Sequence, residues 1–149
     1  MVTRFLKMHG TGNDFVLIDC VENREMRSYE DSGFSSVAER ICDRRFGIGA
    51  DQLLLLLPSE KADFMMRIFN ADGSEVEMCG NGIRCLAKYV WDKGYSDKET
   101  LEIDTPAGII TPRKSDKLVT VDMGKPIFDA QSIPVNLDGN IVDHPLKIG

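Results

Sequence analysis

The residues best suited to chemistry lie together in EMCGNGIRC, positions 77–85. Cys79 stands directly before Gly80, Asn81 and Gly82, and a helix-like run follows at once. The loop comes after a strand-like segment, so it meets the positive end of the helix dipole. Backbone N–H groups of Gly80, Asn81 and Gly82 can there cradle an anion such as a carboxylate. The glycines let a ligand come close to the backbone. The same end of the helix favours the thiolate form of Cys79 over the thiol. A core cysteine needs none of this; a reactive one does.

Metal binding does not fit the other cysteines and histidines. Cys79 and Cys85 are spaced C-x5-C, unlike the C-x2-C of a zinc knuckle, and would sit on different faces of a helix. No motif links His9 and His144. No metal site is therefore expected. Cys42 and Cys85 fall within apolar helix faces and read as core residues. Cys20 ends a strand without glycine neighbours, and His9 precedes a turn and reads as structural.

Two other glycine loops, GTGNDF and GIGADQ, lack the third glycine of a dinucleotide fingerprint and any following Lys-Ser/Thr. The first precedes a strand and the second follows a helix, the wrong order for a phosphate at a helix N-terminus. They read as turns, one a helix C-cap. A further reading makes Asn13 and Gln52 amides at loop ends, suited to hydrogen-bonding a small polar ligand.

The elements around these loops follow from periodicity. RFLKMH and FVLIDC read as strands joined by the GTGND turn. FSSVAERICDRRFG reads as a helix, with Ser36 and Glu39 as a capping box and Gly47 as the C′ glycine. Val37, Ala38, Ile41, Cys42 and Phe46 fall near one face of it. DQLLLLLP is a buried strand ended by Pro58. FMMRIFNADGSEVEMC is a hairpin turning at Asp72-Gly73. A helix from about Ile83 to Lys93 stops at Gly94. Its polar residues Arg84, Lys88 and Asp92 form one narrow stripe, so it is apolar on most sides and expects a sheet wrapped around it. TLEIDTPAGIITPRK and KLVTVDMG supply three more strands. This order is α+β and not the strict alternation of a doubly wound fold. From Lys125 the pattern weakens to a connector with at most one strand.

The 149 residues suffice for one domain with a real core. The net charge of −6 argues against a nucleic-acid partner. The longest aliphatic run, Leu53 to Leu57, is far too short to cross a bilayer. Arg4 and Lys7 interrupt the N-terminus, which lacks the apolar stretch of a signal peptide. A cytoplasmic protein with reduced cysteines is expected.

MHGTGNDFVLID, GIGADQLL, RIFNADGSEVEMCGNGIRC and TPAG, in this order, resemble diaminopimelate epimerases over about the first 125 residues. The related proline racemases usually carry His where this chain has Asn81, and the phenazine-biosynthesis isomerases lack the cysteine. The resemblance implies a mixed, mostly antiparallel sheet curled around a central buried helix. It also implies a cofactor-independent isomerase that interconverts LL- and meso-diaminopimelate, for lysine and peptidoglycan precursors. Two cysteines on opposite faces of the α-carbon act there as thiolate base and thiol acid, exchanging roles with substrate stereochemistry. Neither a cofactor such as pyridoxal phosphate nor a metal takes part.

On this resemblance Cys79 is one of the two acid/base cysteines. Gly80 and Asn81 serve the reacting carboxylate, and Asn13, Gln52 and Asn70 match substrate-binding amides. Each amide also has a turn or hairpin reading, Asn70 above all. The second glycine-flanked cysteine, an Asn-Pro-His segment, and the acidic and arginine residues for the distal end of the substrate are not in this sequence. Nor is the strand that the family's first domain takes from the C-terminus. Residues 1–124 are thus expected to be the N-terminal epimerase domain, and 125–149 a connector entering a truncated second domain. The partners implied are an amino-acid substrate and a C-terminal domain, and family members often pair as dimers. Alone, the chain is expected to be inactive. The alternatives are a non-catalytic binding or assembly module on half of this fold, and a proline-racemase-type isomerase.

Overall fold

Leu53 to Leu56 are all fully buried, and their alternation shows why five leucines run together. Leu54 and Leu56 join one core cluster, while Leu53 and Leu55 join another on the opposite side of the sheet. A strand buried on both faces has no polar face to keep. The computed structural model describes residues 3–28, 31–133 and 135–145. In chain order come β1 (Leu6–Gly10), β2 (Asn13–Asp19), α1 (Asp31–Cys42), β3 (Gln52–Leu57), β4 (Phe64–Asn70) and β5 (Glu75–Val76). Then follow α2 (Gly80–Asp92), β6 (Ile103–Thr105), β7 (Gly108–Ile110), β8 (Arg113–Ser115) and β9 (Leu118–Thr120).

The main sheet has the order β1-β2-β3-β4-β6-β7, with β5 also paired to β4, and β8 and β9 form a separate hairpin. Two pairs, β2–β3 and β4–β6, are parallel; the other pairs are antiparallel. Parallel neighbours need a crossover, and the two helices lie in those two connections. The helices cover opposite faces. Phe34, Ala38 and Cys42 of α1 pack on Val16, Ile18 and Phe69, whereas Ile83, Leu86 and Val90 of α2 pack on Phe15, Leu17 and Ile68. Val119 of β9 also packs against the α2 cluster, and Lys114 of β8 stands over the Trp91 ring at 5.8 Å. The sheet and this hairpin therefore enclose α2, leaving Lys88 and Asp92 exposed. This is the α+β arrangement that the apolar breadth of α2 requires.

Several boundaries differ from the sequence expectation. Helix α1 begins at Asp31, so Ser36 lies inside it and caps nothing. It ends at Cys42, and the chain folds back, with Ile48 and Gly49 N–H both donating to Ile41 O at 2.8 and 3.0 Å. Gly47 is thus beyond the cap, and the positive φ of +80° belongs to Gly49. Phe46 rides on the turn at 93% exposure and not in the core. Helix α2 starts at Gly80, three residues before Ile83. The three strands expected after it are four short ones, because the first segment breaks a second time after Ile110 and yields β6, β7 and β8. Among the described residues of 125–145, only a 3-10 turn at Ala130–Ser132 and an isolated bridge between Asp129 and Asn140 occur. Residues 134 and 146–149 of the expected connector lie outside the described residues.

Gly47 is required by contact and not by φ. A Cβ there would collide with the Arg40 carbonyl and stand 2.7 Å from Ile41 O, both of them backbone. Gly47→Ala is therefore expected to destabilise the chain by about 1–3 kcal/mol, as overpacking does. Denaturant unfolding checks it; a change below about 0.5 kcal/mol, the range of a neutral surface substitution, would contradict it.

Candidate functional site

Strand register gathers the amides. Gln52 and Asn70 face each other across β3 and β4, and Phe15 pairs with Gln52 across β2 and β3. Side chains alternate along a strand, so Asn13, Gln52 and Asn70 share the face of Phe15, Leu54 and Ile68, the face that carries α2. All three lie at the strand ends next to the N-terminus of α2. Leu54 supplies one of the closest contacts, 3.0 Å from the position a Cβ would take on Gly82. That contact explains the second glycine of CGNG: it lets the first turn of the helix settle on β3. On the other side, a Cβ on Gly80 would stand 3.4 Å from Met123 Sδ.

Cys79 is the N-cap of α2, with extended backbone and a sulfur that accepts from Gly82 N–H at 3.4 Å. Of the three N–H groups expected to face a ligand, that of Gly82 is thus turned to the sulfur. Those of Gly80 and Asn81 remain in the first turn, where no helical carbonyl reaches them. The Cys79 thiol donates to Asn13 Oδ1 at 3.6 Å, and Asn81 Nδ2 donates to the same oxygen at 3.5 Å. The sulfur therefore has a donor for its thiolate form and an acceptor for its thiol form. The other three thiols are buried. Burial pushes Cys20 and Cys42 up to about 11, and raises Cys85 as well. Cys79 is the half-exposed cysteine.

Asn81 is held from two sides. Its Oδ1 accepts from Thr11 Oγ1 at 2.9 Å and from the Arg84 guanidinium. Thr11 sits in the β1–β2 turn with φ of 53° beside Gly12 at 90°, the two positive values of a tight hairpin turn. Gln52 Nε2 donates to Asn70 Oδ1 at 2.8 Å, and Asn70 Nδ2 donates to Ser74 Oγ at 3.0 Å. The buried Gln52 Oε1 has no hydrogen-bond partner among the described residues. Hydrogen bonds thus join Cys79, Asn13 and Asn81 as one group and Gln52 with Asn70 as another. Only the shared sheet face relates the two groups.

Sequence reasoning missed the frame behind Asn13. Asp14 and Asp51 exchange bonds: Asp51 N–H donates to Asp14 Oδ1 at 2.9 Å, and Asp14 N–H donates to Asp51 Oδ2 at 3.0 Å. Arg44 reaches both carboxylates at 2.7 Å, and Lys7 meets Asp14 at 2.8 Å. Arg44 and Lys7 hold the Asp14 carboxyl well below the usual range, although partial burial opposes them. The Asn13 amide and the Asp14 N–H lower the Asp51 carboxyl as well, against some opposition from burial and with a smaller contribution from Arg44. The signal was present in the sequence, since each aspartate adjoins one of the candidate amides in NDF and ADQ. Nothing in either loop alone says that the two meet.

Among the described residues no cluster of His, Cys, Asp and Glu could hold a metal, and no helix is long and apolar enough to cross a membrane. An apolar hollow lies on the α1 face, lined by Phe5, Val16, Ile41 and Ile48, and contains none of the candidate site residues.

The family model for diaminopimelate epimerase matches residues 5–128. A diaminopimelate epimerase of Carboxydothermus hydrogenoformans is 54% identical over 145 residues, covering 97% of this chain and 52% of that protein. One of Halothermothrix orenii is 48% identical, covering 100% of this chain and 54% of that protein. The chain spans about half the length of the curated relatives it matches. Solved structures share the fold at lower identity. A PhzF-family phenazine biosynthesis protein of Bacillus anthracis aligns with a TM-score of 0.58 and 23% identity over 81% of this chain and 40% of that one. A hydroxyproline epimerase of Agrobacterium vitis aligns with 0.57 and 16% identity over 78% of this chain and 40% of that one.

Proposed function

The chain belongs to the diaminopimelate epimerase family, and from that premise we propose that it carries one half of a two-cysteine epimerase site. In this reading residues 1–124 are the domain that bears Cys79, and 125–149 lead toward a second domain bearing the opposing cysteine. The substrate is diaminopimelate, and the reaction inverts its α-carbon by proton transfer without a cofactor. The single observation that carries the proposal is the pair of contacts at Cys79. A Gly82 N–H supports the thiolate and the Asn13 carbonyl receives the thiol proton. A residue that is base in one direction and acid in the other needs both.

The reaction would run as follows. The Cys79 thiolate takes the α-proton from one face, or the Cys79 thiol gives one to that face. The carbanion pair delocalises into the α-carboxylate. The first-turn N–H groups of Gly80 and Asn81, at the positive end of α2, receive the charge that develops on that carboxylate. Gln52 and Asn70 serve the rest of the substrate. The orphan Gln52 Oε1 supports this role, because a substrate N–H is the kind of donor it lacks.

The proline-racemase alternative has less behind it. A hydroxyproline epimerase shares 16% identity with this chain, against 54% for a named diaminopimelate epimerase. The test is α-proton exchange in D2O by a two-domain protein carrying this half. Exchange of LL-diaminopimelate but not of L-proline is expected. Exchange of proline in preference would overturn the substrate assignment.

A further inference from the structure

Asn13 could present either end of its amide to Cys79, and the two ends do opposite things. Its carbonyl accepts the thiol proton, whereas its NH2 would stabilise the thiolate only. We propose that Asp51 is a positioning residue, whose carboxylate fixes the Asn13 amide with its carbonyl toward Cys79. The importance of that orientation rests on the reading of Cys79 as an acid/base group.

An ionised carboxylate can only accept. Asp51 Oδ2 takes Asn13 Nδ2 at 2.9 Å and Asp14 N–H at 3.0 Å, while Arg44 holds its Oδ1 at 2.7 Å. The NH2 of Asn13 must therefore face Asp51, and Oδ1 must face the sulfur. Asn81 enforces the same choice from the helix side. Its own Oδ1 is taken by Thr11 and Arg84, so it can offer Asn13 only an N–H. Asp51 is also anchored outside the site: Arg44 ties it to Asp14, and Asp14 is tied to Lys7. The β1–β2 turn and the loop before β3 are thereby locked together directly behind the thiol. The amide orientation then offsets the helix N-terminus: one favours the thiol, the other the thiolate, and Cys79 can serve in both forms.

Asp51→Asn tests this directly. The new NH2 meets donors on either side, Arg44 on one and Asn13 with Asp14 on the other, so the neutral amide holds Asn13 more weakly than the carboxylate does. Asn81 still favours the carbonyl-in orientation, so Asn13 loses one of its two restraints and turns its own N–H groups to the sulfur for part of the time. The expected result is a fall of about 0.5–1 unit in the pH midpoint of Cys79 alkylation by iodoacetamide in this chain. Removing a negative charge also lowers such a midpoint, so two controls separate the effects. Asp14→Asn removes an equal charge from the same network but leaves the Asn13–Asp51 bond, and should shift the midpoint far less. In an Asn13→Ala background, Asp51→Asn should shift it no more than Asp14→Asn does.

Equal midpoints in wild type and Asp51→Asn would overturn the proposal, as would the full shift persisting without Asn13. If Asp51→Asn does not fold, the wild type still answers. Its Asn13 side-chain N–H resonance should move with carboxylate protonation as the pH falls below the ordinary aspartate range, and a resonance that stays put refutes the bond. No substrate enters these measurements. Were the acid/base reading of Cys79 alone at fault, the shift would remain while Cys79→Ala kept full activity.

Discussion

Replacing Cys79 with alanine in a two-domain protein that carries this half is expected to lower epimerisation by about 10²–10⁴-fold, the usual weight of a positioned acid or base. That corresponds to about 3–5 kcal/mol of barrier. Substrate binding should change little, because the first-turn N–H groups of Gly80 and Asn81 do not depend on the sulfur. The loss should also have a stereochemical signature. With one cysteine left, a proton can leave and return on one face only. One stereoisomer should therefore exchange its α-proton for deuterium without inverting, and the other should not exchange. Equal activity in the variant, or equal loss of exchange for both stereoisomers, would contradict a two-base site. The three buried cysteines provide the control: their thiols are pushed up or shielded, so substitutions such as Cys42→Ala should affect packing and not exchange.

Asp19→Ala should give the largest loss of stability. Asp19 is 3% exposed and gathers four donors. Val21 and Glu22 N–H reach its Oδ1 at 2.7 and 3.1 Å, and the Tyr89 and Tyr95 hydroxyls reach its Oδ2 at 2.9 and 2.6 Å. It ties the end of β2 to α2 and to the loop beyond it. Alanine removes a charged acceptor and strands the buried Tyr89 hydroxyl. Breaking a buried charged network of this kind costs about 3–5 kcal/mol, or about 10–20 °C in thermal midpoint for a chain of this size. Asp19→Asn should cost less, about 1–2 kcal/mol, because one oxygen still accepts and the amide can donate to a tyrosyl oxygen. A midpoint for Asp19→Ala within 3 °C of the wild type would contradict the account.

The same cluster sets a pH dependence. Burial first, and then the bond to Asp19, raise both tyrosines above their ordinary value of 10.0. Above that value the unfolded chain loses its tyrosyl protons while the folded chain keeps them. The folded state then binds more protons, so stability is complete below pH 10 and falls as the pH rises beyond it. Asp19→Ala should flatten that fall.

Long, strongly patterned features were legible in the sequence. The breadth of the apolar surface on α2 announced an enclosed helix, and Asp72-Gly73 announced the hairpin before it. The leucine run announced a buried strand, although not that its two faces belong to two separate cores. Helix starts were less legible. Ser36 and Glu39 imitate a capping box, yet tertiary packing of Phe34 on Phe69 extends α1 upstream of them. Gly47 resembled a C′ glycine because glycine is obligatory there, but crowding by carbonyls is the reason, and no local pattern distinguishes the two. At the candidate site, Cys79 and its glycines stood out because a strand-loop-helix junction is a local signal. The roles of Asp51, Asp14 and Thr11 did not, since each depends on loops about 40 to 70 residues apart meeting in space. Gly82 belongs between these cases: its position was plain, but its contact with Leu54 needed the fold.

The most direct measurement of the half-site proposal is reconstitution. This chain would be mixed with a separately produced second half, and α-proton exchange of LL-diaminopimelate in D2O followed by NMR. The account expects silence from either half alone and exchange with inversion from the mixture, lost when this chain carries Cys79→Ala. Exchange with inversion by this chain alone, or an active mixture that tolerates Cys79→Ala, would contradict it.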